Sequence, residues 1–139
     1  MTIPMQDEHD KPNGKRHGSG MGRMSKALAV SLSGVREALR CEAAFRQELA
    51  IGAVFAVAAL MLEVTPAERG VLLASIFIVL IVELLNTALE VTLDRITLEE
   101  DPSVRKAKDM GSAAVFLSIV AAGVVWICIT GPLVYRALS

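Results

Sequence analysis

A chain of 139 residues that is 53% hydrophobic, with a mean hydropathy of +0.51, has room for one domain and is too apolar for an ordinary soluble one. Its 14 basic and 15 acidic residues leave a net charge of −1, so no basic excess points to nucleic acid. The charges fall in blocks between apolar runs, and their placement carries the information.

Residues 1–22 lack the apolar stretch of a secretory signal. Their Gly, His, Lys and Pro content predicts a disordered extension outside the fold. From about residue 23 to 40, Met24, Leu28, Leu32, Val35 and Leu39 recur at three- and four-residue steps. Lys26, Arg36, Glu37 and Arg40 fall largely elsewhere on the wheel. That pattern predicts an amphipathic surface helix lying in the membrane interface.

An apolar run from Leu49 to Leu62 is short for a span. Adding Ala43, Ala44 and Phe45, with Arg46 snorkelling, gives a first span over about 45–64, closed by a turn at Glu63, Thr65 and Pro66. Further spans are expected over about 68–95 and 108–134. The fold class is therefore an all-α membrane protein, three transmembrane helices preceded by an amphipathic interfacial helix, with residues 23–139 forming the domain. Asp101 and Pro102 read as an N-cap and first-turn proline, starting the last helix before it enters the bilayer. The first connection holds one basic residue, Arg69, and the second holds Arg95, Arg105, Lys106 and Lys108. The N-terminus and second connection are thus expected in the cytoplasm and the C-terminus outside. Cys41 and Cys128 stand far apart along the helices, which argues against a disulfide within the chain.

Glu83 interrupts an apolar run from Ile76 to Leu85, where a carboxylate costs about 3 kcal/mol on insertion scales. Asn86, Glu90 and Asp94 follow at helical steps and share its face, so the stripe must meet protein or water. Glu83 lies roughly 10 Å deeper than Glu90 at about 1.5 Å per residue. Glu42, Arg46, Gln47 and Glu48 flank the first span, and Lys108, Asp109 and Ser112 the third. Surface carboxylates such as Glu42 and Glu90 suit Mg²⁺, Lys108 suits phosphate charge, and a deep Glu83 suits deprotonation of a hydroxyl. That set fits phosphoryl transfer to an amphipathic alcohol, and these residue types serve proton or ion transport nearly as well. There is no G-x-x-x-x-G-K-[ST], and the cluster Gly18-Ser19-Gly20-Met21-Gly22 reads as linker.

Three segments, Glu42-Ala43-Ala44-Phe45-Arg46-Gln47-Glu48, Val82-Glu83-Leu84-Leu85-Asn86-Thr87-Ala88-Leu89-Glu90 and Ala107-Lys108-Asp109-Met110-Gly111-Ser112-Ala113-Ala114-Val115, closely resemble the prokaryotic diacylglycerol kinase family. They match in order, and the resemblance extends from about Arg23 to the C-terminus. It implies a multi-pass protein of the bacterial inner membrane that phosphorylates diacylglycerol with ATP to give phosphatidic acid. It also implies a homotrimer with active sites shared between subunits. Carried over residue by residue, it makes Glu83 the catalytic base supported by Asn86, and Glu42 and Glu90 the carboxylates holding Mg²⁺ on ATP. Lys108, Asp109 and Arg23 fall at nucleotide positions, with Glu99, Glu100 and Asp101 on a loop that Pro102 makes a weak match. Gln47, Glu48, Ser112 and Trp126 fall at lipid positions beside Glu83. Val30 stands where the family usually has a tyrosine. Undecaprenol kinase shares the glutamate and asparagine pattern and is the alternative within the superfamily, although Gln47-Glu48 and Gly111-Ser112 look more like the diacylglycerol branch. A non-enzymatic proton-coupled component using Glu83 as carrier is the alternative from another class.

Overall fold

A computed structural model describes residues 20–96 and 101–139. The order is α1 (Gly20–Cys41), α2 (Ala43–Met61), α3 (Pro66–Ile96) and α4 (Pro102–Leu138). The chain divides into two compact units between Leu32 and Ser33. Among its described residues the first unit is the leading part of α1, where Met21, Met24, Leu28 and Leu32 are exposed along one side of an amphipathic helix.

The second unit carries three helices long and apolar enough to cross a membrane: Ala43–Met61, Pro66–Ile96 and Pro102–Arg136. Helix α3 lies in the middle, packed along α4 on one side and α2 on the other. The outer helices meet through side chains, Phe55 and Trp126 forming an edge-to-face pair with centroids 4.8 Å apart. Apolar side chains gain little by leaving lipid for protein, so close backbone approach has to hold such helices together. Gly52 and Ala59 are buried on α2, and a Cβ at position 52 would lie only 2.8 Å from Ile76 Cγ2 of α3. Leu72 of α3 is wholly buried, whereas Ile51, Val54, Phe77, Ile81, Phe116 and Ile127 are exposed.

Polar side chains fix the helix ends. Thr65, Pro66 and Glu68 open α3 with a capping box: Thr65 N donates to Glu68 Oε2 at 2.8 Å and Glu68 N to Thr65 Oγ1 at 3.3 Å. Arg69 donates back to the carbonyls of Ala59 and Leu62, closing the end of α2. Helix α2, the first of the three long enough and apolar enough to span, stops at Met61, short of the expected residue 64, with Leu62 already extended. Arg46 extends its guanidinium back, away from the apolar run of α2, to the carbonyls of Leu39 and Arg40 and closes α1. Asp101 accepts from Ser103 N at 2.7 Å ahead of Pro102, so α4 begins with the expected cap. Both cysteines are free and exposed.

Candidate active site

The site is built on the second half of α3. Glu83 is buried, 5% exposed, and the seven residues to Glu90 make about two helical turns. Between them Asn86 donates from Nδ2 to Glu90 Oε1 at 3.1 Å, an i, i+4 pair that aims the Glu90 carboxylate along the stripe. Asn86 Oδ1 is buried and accepts no hydrogen bond.

Two carboxylates of α2 join them. Glu42 stands at the N-cap of α2, yet its side chain makes no capping hydrogen bond. A carboxylate there gains from the positive end of the helix while keeping its oxygens for another partner. Glu48, two turns further on, is half-buried with Oε2 unpartnered. The charges of Glu90 and Glu42 both act on Glu83, and that of Glu83 acts on Glu48. Four carboxylates from two helices thus share one region, where like charges at low dielectric repel.

Lys108 of α4 supplies positive charge one turn beyond Glu90, where its Nζ pairs with Asp94. This pair ties the end of α3 to the start of α4 across fourteen positions of sequence. No group of three or more His, Cys, Asp or Glu poised to hold a metal is found among the described residues. The donor set still fits Mg²⁺, which takes one or two carboxylates and completes its shell with phosphate oxygens and water. Clustered carboxylates with a single lysine at their margin would be relieved by a hard cation.

Beside this cluster a cleft of about 260 Å³ opens between α2, α3 and α4. Its walls are apolar, among them Ile51, Val79, Leu80 and Ile119, with Trp126 against Phe55 and Glu48 as the charged residue of the lining. Glu48 belongs to both cleft and carboxylate cluster, so an apolar chain in the cleft would have its polar end beside the acids.

The structure thus gathers Glu42, Glu48, Glu83, Asn86 and Glu90 into one cluster and places Trp126 in the adjoining cleft. Gln47, Asp109 and Ser112 are exposed and outside the cleft lining. Arg23 is exposed in the first unit. Glu99 and Glu100 lie outside the described residues. Asp101 is exposed, and the Ser103 N–H and hydroxyl hold its carboxyl below the usual range. Three features escaped sequence reasoning: Asp94 as the partner of Lys108, Phe55 as the partner of Trp126, and the fit of Gly111 against Asn86. Asp94 was detectable as the last member of the α3 stripe; the other two depend on how the helices are rotated against one another.

Residues 29–130 match the family model described as prokaryotic diacylglycerol kinase. The chain is 44% identical over 108 residues to a diacylglycerol kinase of Pseudomonas aeruginosa, covering 78% of this chain and 88% of that protein. It is 43% identical over 108 residues to the diacylglycerol kinase of Escherichia coli K12, with the same coverage of 78% and 88%. To that of Haemophilus influenzae it is 33% identical over 108 residues, 78% of this chain and 92% of the relative. All of the clustered carboxylates lie inside the matched region.

Proposed function

From the fact that the chain belongs to the prokaryotic diacylglycerol kinase family, we propose that it transfers the γ-phosphoryl group of ATP to the hydroxyl of diacylglycerol, forming phosphatidic acid at the cytoplasmic face of the bacterial inner membrane. The observation that carries this reading is a buried carboxylate, Glu83, seated two turns below a carboxylate and lysine region and beside an apolar cleft.

Diacylglycerol brings its own anchor, since acyl chains in the bilayer and in the cleft of Trp126 hold its hydroxyl near the level of Glu83. Glu83 accepts the hydroxyl proton as the oxygen bonds to the γ-phosphorus and the bond from that phosphorus to the bridging oxygen of ADP breaks. The proton then passes to water. Asn86 keeps Glu90 aimed toward the phosphates. Glu42 and Glu90 would hold Mg²⁺, which when bound draws charge from the phosphate oxygens. Lys108 exchanges Asp94 for a phosphate oxygen, and Asp109, Arg23, Glu99, Glu100 and Asp101 serve the nucleotide side. Gln47, Glu48 and Ser112 serve the lipid headgroup side.

The protein works as a homotrimer with shared sites. Support comes from Asp109 and Ser112, which stand exposed and outside the cleft of a single subunit although the family resemblance puts both at the site. The basic residues Arg95, Arg105, Lys106 and Lys108 favour a cytoplasmic α3–α4 connection. We assign the kinase domain to residues 23–139, with α1 beginning three residues earlier at Gly20.

The deciding experiment supplies the purified protein, in detergent and then in bilayers, with ATP, Mg²⁺ and either diacylglycerol or undecaprenol. Faster turnover of diacylglycerol is expected. Preference for the polyprenol, or ATP consumption with neither lipid phosphorylated, would overturn the substrate assignment.

A further inference from the structure

Four glycines stand on α3 and α4, and what surrounds them differs. At Gly70, Gly123 and Gly131 a Cβ would meet nothing within 4 Å. At Gly111 it would overlap Asn86 Oδ1 and lie 3.2 Å from Leu89 Cδ2 and 3.4 Å from Asn86 Cγ. The obstacle is a polar atom of a short side chain that is already committed elsewhere, with its Nδ2 on Glu90 Oε1 at 3.1 Å. Asn86 Oδ1 is buried and without a partner, so no hydrogen bond of its own holds it against α4.

An asparagine amide has one donor end and one acceptor end, and only the donor end can face a carboxylate. With Nδ2 on Glu90, Oδ1 has to point the opposite way, toward α4. Any side chain at position 111 would occupy that place, and the amide would have to rotate off Glu90 or α4 would have to withdraw. Rotation by half a turn about the amide would set Oδ1 against Glu90, two acceptors facing each other. We propose that Gly111 is a positioning residue of the phosphoryl-transfer site: the missing side chain at 111 is the space that lets Asn86 present its donor end to Glu90.

This inference rests on the reading of Glu90 as a carboxylate serving Mg²⁺ on ATP, and the test separates the two. Full-length Gly111→Ala, Asn86→Ala, the double variant and Glu90→Gln are compared for kcat, for the Mg²⁺ concentration giving half-maximal rate, and for thermal midpoint. Gly111→Ala and Asn86→Ala are each expected to raise the half-saturating Mg²⁺ at least threefold. In the Asn86→Ala background, where the obstructing amide is gone, Gly111→Ala is expected to change kcat and Mg²⁺ dependence by less than twofold. If Gly111→Ala alone does not fold, a folded double variant with the kinetics of Asn86→Ala supports the proposal. A double variant that also fails to fold overturns it. Equal, multiplying losses in both backgrounds, or a lowered thermal midpoint with parental Mg²⁺ dependence, would make Gly111 a packing residue only. Parental Mg²⁺ dependence in Glu90→Gln would instead remove Glu90 from the metal, and the kcat of the double variant would still decide whether Gly111 acts through Asn86.

Discussion

Replacing Glu83 by Gln isolates the proposed proton transfer from everything else the residue does. The side chain keeps its size and can still donate and accept hydrogen bonds, but it no longer takes a proton from the lipid hydroxyl. General-base contributions run at about 10²–10⁴-fold, which at about 1.36 kcal/mol per tenfold corresponds to a barrier roughly 3–5 kcal/mol higher. The folded protein should not suffer. Glu83 is 5% exposed in an otherwise apolar stretch, and a carboxylate at the centre of a membrane helix costs about 3 kcal/mol on insertion scales. The substitution also removes the repulsion with Glu42, Glu48 and Glu90. A thermal midpoint at or above the parent's is therefore expected, with KM for Mg-ATP within a few fold and kcat down at least a hundredfold. The assay is initial-rate phosphorylation of diacylglycerol at saturating Mg-ATP, alongside thermal unfolding in the same detergent. A folded Glu83→Gln protein with near-parental kcat would refute the base assignment and return Glu83 to helix packing.

Glu42→Gln and Glu90→Gln are each expected to raise the Mg²⁺ needed for half-maximal rate and to lower turnover, measured by magnesium titration at fixed ATP; unchanged curves would take both out of the metal site. Thr65→Ala removes the hydroxyl that donates to Glu68 Oε2 at 2.7 Å and accepts from Glu68 N. It should cost about 1 kcal/mol of stability without changing KM for either substrate, as read by unfolding in detergent. Mixing subunits inactivated at Glu83 with subunits inactivated at Asp109 should restore a fraction of activity, and mixed assemblies that stay inactive would contradict shared sites.

The fold was legible because three apolar stretches are separated by charged connections, and because Asp101-Pro102 announces a helix start, whereas Thr65 and Pro66, read as a turn, open α3 together with Glu68. The α3 face was legible for a different reason. Glu83, Asn86, Glu90 and Asp94 are polar against an apolar background, so helical periodicity alone aligns them. On α2 and α4 that contrast is missing, since residues facing lipid and residues facing protein are both apolar. The Phe55–Trp126 contact and the fit of Gly111 against Asn86 consequently leave no trace in the pattern. For Arg46 the sequence left open which groups its head would meet: the exposed carbonyls of Leu39 and Arg40, seven and six residues back, receive it and α1 is closed by it.

The polar side chains of the helical unit sort by whether the fold engages them, and that sorting separates architecture from chemistry without reference to any relative. Arg46, Arg69, Thr65, Glu68 and Asp101 end in carbonyls, amides or hydroxyls at helix termini. The buried Ser75 and Ser118 donate to carbonyls one turn back in their own helices. These residues are satisfied, and the helices need them. Glu42 occupies a capping position and caps nothing; Glu48 Oε2 and Asn86 Oδ1 are buried without partners. Glu83 is buried within reach of the charges of Glu42 and Glu90. An arrangement serving stability alone would have lost such groups or paired them, since each unpartnered buried polar atom costs about 1–3 kcal/mol. They persist together over about two helical turns of the bundle, beside the cleft, and the proposed function uses that depth, the lipid hydroxyl at its inner end and the phosphates at its outer end.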